Sequence, residues 1–212
     1  MTSPLLFGLS GKKRVGKDTL GACLVREYSF RRFAFADSVK SVALDINPTI
    51  RNSSGELALP LQEVYRMHGE SFEGIKDSPD WDADVRRFLQ NMGSTMAQRE
   101  NTIWAGPLVR DAIAYMNESG NNVVITDVRF PWEVNLIRSA GGQMIRVFRS
   151  DWPDHEHEDS HISETLLDDM VPDAFFDSTP LDETFSNRVG TLVEQFTPEP
   201  QDKYQEAEGV AF

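Results

Sequence analysis

Apolar runs of strand length recur along the chain at LLFGL, FRRFAFA, NVVITD and QMIRVFR, with a weaker one at DAFFDS, and segments of helical pattern separate them. After the first run, Leu20, Cys23, Leu24 and Tyr28 fall on one side of a helix. Strands alternating with helices predict right-handed crossovers and a parallel sheet covered on both faces, an α/β fold. A helix over Ser38 to Asn47 is expected, with Asp37 as its N-cap. NPTIRNSSGELALP, spanning residues 47–60, is rich in turn formers and reads as a mobile insertion. DWPDHEHEDSH, within residues 150–161, reads as a polar, flap-like loop between a strand and a helix, and the acidic tail 197–212 reads as disordered. The length of 212 residues fits one domain, residues 1–196, and no internal repeat is visible.

The turn between the first strand and the first helix reads GKKRVGKDT. Gly11, four residues, Gly16 and Lys17 have the spacing of a phosphate-binding loop, in which successive backbone N–H groups and a helix N-terminus surround an anion. Gly11, Lys12, Lys13, Arg14, Val15, Gly16, Lys17, Asp18 and Thr19 are therefore the expected nucleotide-phosphate site, with Lys17 on the β and γ phosphates. The competing reading, a Gly-rich turn carrying solvated cations, is disfavoured by the strand before it and the helix after it. The usual pattern has Ser or Thr directly after the lysine to serve Mg²⁺. Here Asp18 stands in that place and Thr19 follows, so either could serve the ion directly or through water.

Charge narrows the ligand. A net charge of −13 argues against a nucleic-acid polymer, which needs a basic face, whereas Lys12, Lys13, Arg14 and Lys17 form a compact cationic spot suited to a mononucleotide. One cysteine, Cys23, excludes a disulfide framework and points to a core residue in a reducing, cytoplasmic setting. No basic leader and no run of about 18 apolar residues is present, so neither secretion nor membrane spanning is expected.

Residues just beyond the strand ends are where ligands bind in such sheets. Asp127 ends the NVVIT strand, as a carboxylate that binds Mg²⁺ waters would; it could equally cap the helix beginning near Phe130. Arg129 could stabilise charge on a transferring phosphoryl group, or form a surface ion pair with Glu133. In RRFLQNMGSTMAQRENTIWAGPL, the residues Arg86, Gln90, Arg99, Asn101 and Trp104 offer a phosphate fork, base-edge contacts and a stacking ring; a solvated helix with Trp104 in the core is the alternative. Asp37 and Lys40 in FAFADSVK have a cap reading and a site reading. HEHEDSHISE holds His155, His157 and His161 among acids, but its spacing matches no closed zinc site, and a polar flap with Arg149 at its base is preferred.

Together, GKKRVGKDT, FAFADSVK, RRFLQNMGS with Arg99 and Trp104, TDVRFPWE, the Gly141-Gly142 pair before the strand ending in Arg149, and HISE resemble the bacteriophage deoxynucleoside monophosphate kinases. The likeness spans roughly residues 5 to 170. It implies a P-loop NTPase fold of nucleotide-kinase type, three layers α/β/α around a parallel sheet, and often a homodimer. It also implies transfer of the γ-phosphate of ATP to a deoxynucleoside monophosphate (dNMP) with Mg²⁺. On this chain Lys17 and the loop amides would hold donor phosphates, and Thr19 and Asp127 would manage Mg²⁺, with Asp18 the other candidate ligand. Arg86, Gln90, Arg99 and Trp104 would form the acceptor site, while Arg129, Arg149, His161 and Glu164 would close over the reaction; Asp37, Lys40 and Glu133 are further candidates for substrate binding. The rivals are a P-loop kinase for a nucleoside or dephospho-coenzyme A, with Asp37 as base, and an ATPase with no acceptor.

Overall fold

The structure is a computed structural model that describes residues 3–151 and 166–198. In chain order the elements are β1 (Leu6–Ser10), α1 (Lys17–Glu27), β2 (Phe30–Phe33), α2 (Phe35–Ile46), β3 (Thr49–Arg51), β4 (Ala58–Pro60), α3 (Leu61–Met67), α4 (Phe72–Lys76), α5 (Asp82–Arg99), α6 (Ala105–Ser119), β5 (Asn122–Ile125), α7 (Pro131–Ser139), β6 (Gln143–Phe148), β7 (Ala174–Asp177) and α8 (Phe185–Phe196). All five expected strands form, and they pair in parallel in the order β2-β5-β1-β6-β7. Every residue of the central strand β1 is buried, which is why it reads as a continuous apolar run rather than an alternating one.

Two cores sandwich the sheet. On one face Phe7, Leu9, Ile145 and Val147 pack with Leu20, Cys23 and Leu24 of α1 and Val189 and Leu192 of α8. On the other, Leu6, Ile125 and Met144 pack with Leu108 and Ala112 of α6 and Val134 and Ile137 of α7. This is the expected three-layer α/β/α arrangement, and Cys23 takes the core role expected of it, only 2% exposed. The stretch between β2 and β5 builds a third core of its own, with Ala43, Ile50, Leu61, Val64, Ile75, Trp81 and Val85 at its centre. Its hairpin, β3 against β4, occupies the segment expected as an insertion and buries Ile50 to 1% exposure.

The expected start of the second helix is corrected. The run FRRFAFA is strand only to Phe33, and α2 begins at Phe35, so Asp37 is its third residue and Ala34 its N-cap. Phe35 is drawn into the helix because its ring is buried in the second core, and the first-turn amides find an acceptor from a distant strand. Asp37 instead pairs with Arg32 at 2.8 Å and Lys40 at 3.6 Å.

The chain leaves β1 through α1 toward one edge and leaves its neighbour β5 through α7 toward the other. The crevice beyond the carboxyl ends of β1 and β5 is thus a topological switch point, the place where open α/β sheets bind ligands.

Candidate functional site

The turn after β1 is shaped by close packing. Gly11 has φ +144°, and a Cβ there would lie 2.3 Å from the Val147 carbonyl oxygen, so only glycine lets the loop rest on β6. Gly16, at φ +90°, is the N-cap of α1, and a Cβ on it would meet Ser178 at 2.8 Å. Lys17 folds back, its Nζ donating to the carbonyls of Gly11 at 2.6 Å and Lys12 at 2.7 Å. This closes a ring of backbone in front of the helix N-terminus. Two supports were not visible in the sequence. Ser178, just past β7, donates to the Val15 carbonyl at 2.7 Å, and Arg188 of α8 fixes that strand end by donating to the carbonyls of Asp177 at 2.6 Å and Thr179 at 3.0 Å.

Beside the loop lies a recess of about 20 Å³ lined by Gly11, Lys13, Lys17, Val128, Arg129, Arg146 and Leu167. Four of these are cations and none is a carboxylate, on a chain of net charge −13. Arg146 was missed in the sequence, although a lone cation inside QMIRVF is a readable signal: a charge in an otherwise apolar strand must find a partner or a ligand. It sits opposite Ser10, the last residue of β1, and its side chain is 14% exposed.

The carboxylates of the site hold backbone. Half-buried Asp127 accepts from the Phe35 amide at 2.8 Å through one oxygen and from the Ala36 amide at 2.9 Å through the other. It therefore caps α2, across 92 residues of sequence, and not the helix at Phe130. Burial pushes its carboxyl above the usual range, opposed by the two amides and Arg129. The expected surface ion pair of Glu133 is corrected: it is 6% exposed, and one oxygen, Oε2, accepts from the amides of Arg129 at 2.7 Å and Phe130 at 3.0 Å. Rather than making a surface ion pair, it caps α7 and fixes the backbone at Arg129. Burial pushes its carboxyl up to about 8.

The expected acceptor residues are only partly assembled. Arg86 is exposed and paired with Asp82 at 2.8 Å one turn back on α5. Arg86, Gln90 and Gly93 share a face by helical spacing, and Gly93 packs near Val39 of α2. Arg99, exposed at the end of α5, falls on the opposite side by the same spacing and is not brought to them. Trp104 is half-buried and spends its one donor on the Gly93 carbonyl at 3.1 Å, tying the start of α6 to α5. Lys40 lies 5.6 Å from the centre of the Phe72 ring as well as beside Asp37. A groove of about 490 Å³ runs along the other face of α5, lined among others by Thr49, Arg87, Asn91 and Met92.

Asp18 and Thr19 are both exposed on the first turn of α1. Helical spacing puts Asp18 on the side of Gly21, where a Cβ would lie 2.7 Å from Thr126, and turns Thr19 away. Arg149 forms a two-pronged pair with Asp151, both contacts 2.9 Å. His161, Glu164, the other flap histidines and most of the tail lie outside the described residues. Among the described residues no group of three His, Cys, Asp or Glu is placed to hold a metal by itself, and no helix is long and apolar enough to cross a membrane.

Comparison with known proteins bears on the same region. A deoxynucleotide monophosphate kinase family model matches residues 63–178, more than half of the chain. A protein of Acanthamoeba polyphaga mimivirus named "Putative deoxynucleotide monophosphate kinase" is 25% identical over 182 residues, covering 77% of this chain and 82% of that protein. "Uncharacterized protein ORF77" of Ictalurid herpesvirus 1 is 31% identical over 135 residues, 63% of this chain; the match spans only 55% of the viral protein. Among solved structures, dephospho-CoA kinase from Campylobacter jejuni superposes with a TM-score of 0.52 at 8% identity, covering 90% of this chain and 96% of that one, a likeness of fold.

Proposed function

The chain belongs to the deoxynucleotide monophosphate kinase family, and from that premise we propose that it transfers the γ-phosphate of ATP to the phosphate of a deoxynucleoside monophosphate, releasing ADP and the diphosphate. The observation that carries the reading is the recess: Lys13, Lys17, Arg129 and Arg146 converge with no carboxylate among them, at the switch point, beside the Gly11-to-Thr19 loop. Such a site neutralises phosphoryl oxygens, which is most of what phosphoryl transfer asks of a protein.

The nature of the acceptor follows from what the carboxylates are doing. A hydroxyl acceptor needs a general base, whereas a phosphate monoester near pH 7 carries about −1.5 to −2 charge and is already a nucleophile. Asp37 is ion-paired to Arg32 and Lys40, Asp127 holds two amides of α2, and Glu133 is buried under two more. None of these three is poised as a base, which favours the phosphate acceptor. Lys17 would exchange the carbonyls of Gly11 and Lys12 for phosphate oxygens, Arg129 would meet the transferred group, and Arg86 with Gln90 would receive acceptor phosphate and base.

The oxygen donors present suit Mg²⁺, which binds through one or two carboxylates, several waters and substrate phosphates rather than in an all-protein cage. Each Asp127 oxygen accepts one amide and keeps a second lone pair, and Asp18, on the Thr126 side of α1, is the better-placed partner of the two candidates on that helix. Bound there, the ion would neutralise charge on the donor phosphates. An ADP-release assay with ATP and each of the four deoxy and four ribo monophosphates tests the reading. Turnover with at least one deoxynucleotide, and little without an acceptor, is expected. Equal ADP release with no acceptor would make the protein an ATPase, and turnover only with a nucleoside or dephospho-coenzyme A would move it to another kinase class.

A further inference from the structure

Arg146 has an environment that ordinary packing does not explain. A guanidinium is costly to bury unless its donors are used, and it offers five N–H groups. Here the side chain is 14% exposed, yet among the described residues its hydrogen bond is to the Leu167 carbonyl alone, through Nη2. Asp168 stands at 3.6 Å, beyond hydrogen-bond range and itself 47% exposed. The rest of the fork opens on the recess, together with Gly11, Lys13, Lys17 and Arg129.

The strand position explains how it gets there. Met144 and Arg146 lie on the same side of β6, and Met144 is under Gly8, in the core shared with Ile137. Two residues further along, Arg146 lies opposite Ser10, the last residue of β1, so this side chain emerges where the strand gives way to the loop. An arginine mounted on a central strand has little rotamer freedom left to lose, which suits a group that must meet a phosphoryl oxygen in one geometry.

We propose that Arg146 is a phosphate-contacting residue of this site, donating to the phosphoryl group held in the recess, and that Asp168 and the Leu167 carbonyl hold the guanidinium in waiting until that group arrives. The inference rests on the kinase reading for its reaction but not for its ligand, which is a polyphosphate chain. The competing account is that Arg146 only anchors residues 167–168 to the sheet.

Inorganic tripolyphosphate, titrated calorimetrically into the full chain, reads the site without catalysis, and steady-state kinetics with ATP and a deoxynucleoside monophosphate read it in turnover. Arg146→Gln is expected to weaken tripolyphosphate binding and to lower kcat/KM about tenfold to a hundredfold, with Arg146→Lys intermediate in both. Asp168→Asn frees the guanidinium of its competitor and is expected to bind tripolyphosphate as tightly as the parent or a few-fold more tightly. Parent-like binding in Arg146→Gln overturns the proposal. So does an Asp168→Asn variant that loses as much as Arg146→Gln, since that is the behaviour of an anchor. Should Arg146→Gln fail to fold by circular dichroism, the Lys and Asp168 variants decide on the same criteria. A parent protein that binds tripolyphosphate with dependence on Arg146, yet phosphorylates no deoxynucleotide, keeps this assignment and removes the proposed acceptor.

Discussion

The two halves of the molecule handle charge in opposite ways. Around the phosphate loop, cations converge on one recess whose lining holds no carboxylate, and two nearby carboxyls accept from backbone, Asp127 from the amides of α2 and Glu133 from those before α7. Along the first half of α5 two cations each have a local acid, Arg86 with Asp82 and Arg87 with Asp84, both within one turn. The first arrangement gathers positive charge at one recess beside the sheet, while the second neutralises charge on an exposed helix where ion pairs contribute little to stability. Under the proposed function, a fixed site for donor phosphates and a surface that can release its arginine to an incoming acceptor are different requirements, and the two halves would serve them separately.

The sharpest break of that contrast is Lys17→Ala. Its Nζ bridges two loop carbonyls and is the cation nearest the helix N-terminus, so its removal takes away a charge-assisted contact that strengthens in the transition state. A loss on the order of 3 kcal/mol, about a hundredfold or more in kcat, is expected with circular dichroism unchanged. Parent-like turnover would show that the loop does not hold the donor.

On α5 the corresponding change is Arg86→Ala. The pair with Asp82 is exposed, so stability should move by no more than about 0.5 kcal/mol, whereas kcat/KM for the deoxynucleotide should fall about tenfold to a hundredfold with ATP affinity unchanged. Gln90→Ala should instead alter the ranking of bases. If Arg86→Ala leaves the kinetics as they were, this face of α5 is a solvated surface and the contrast becomes one between a site and a scaffold.

Glu133→Gln tests the buried side of the comparison through pH. Burial raises its carboxyl from 4.5 to about 8, so the folded state binds the extra proton between those values. The stability this gives is complete below about 4.5 and is lost as pH rises through about 8. Both amides use Oε2, so a proton on Oε1 leaves them satisfied, and the glutamine oxygen can take the same two bonds. The ceiling implied by the shift is about 5 kcal/mol; with relaxation and water entry about 2 kcal/mol is expected, or about 4 to 8 °C in Tm. Melting curves of parent and variant should nearly coincide at pH 5 and separate at pH 9, the variant being the more stable. Curves that stay parallel across that range would mean that Glu133 does not titrate there.

What could be read in advance depended on whether the interaction was local. The five strands and the loop from Gly11 to Thr19 were legible because strand length, apolar run and Gly-x₄-Gly-Lys spacing are properties of contiguous residues. Arg146 was legible in principle, as a charge inside an apolar strand. Ser178 was not: its bond to Val15 joins residues 163 apart, and nothing in DST marks it. The start of α2 was misplaced for the same reason, since its cap arrives from Asp127 rather than from the adjacent Asp37. Arg86, Gln90 and Arg99 were grouped by composition, and helical geometry then separated Arg99 from the other two.

Asp127→Asn is expected to change stability little and is the most discriminating variant, because that residue belongs to both halves. Its two oxygens each accept one amide at the start of α2, so it ties the helical half to the end of β5 beside the loop. Asparagine keeps one carbonyl oxygen and puts an N–H₂ where the other was, facing an amide that then lacks an acceptor. That costs about 1 kcal/mol, offset in part because a half-buried carboxylate is also removed. If Asp127 is a cap and nothing more, the variant should melt slightly lower, with the Mg²⁺ midpoint of the reaction at saturating ATP unmoved. If its remaining lone pairs also hold the ion or its waters, that midpoint should rise several-fold while ATP binding measured without metal stays the same. The two readouts are independent, since a stability change this small leaves essentially all of the protein folded during a Mg²⁺ titration. The kinase reading expects both shifts: a carboxylate that positions α2 and the metal at once would couple the helical half to the arrival of the donor.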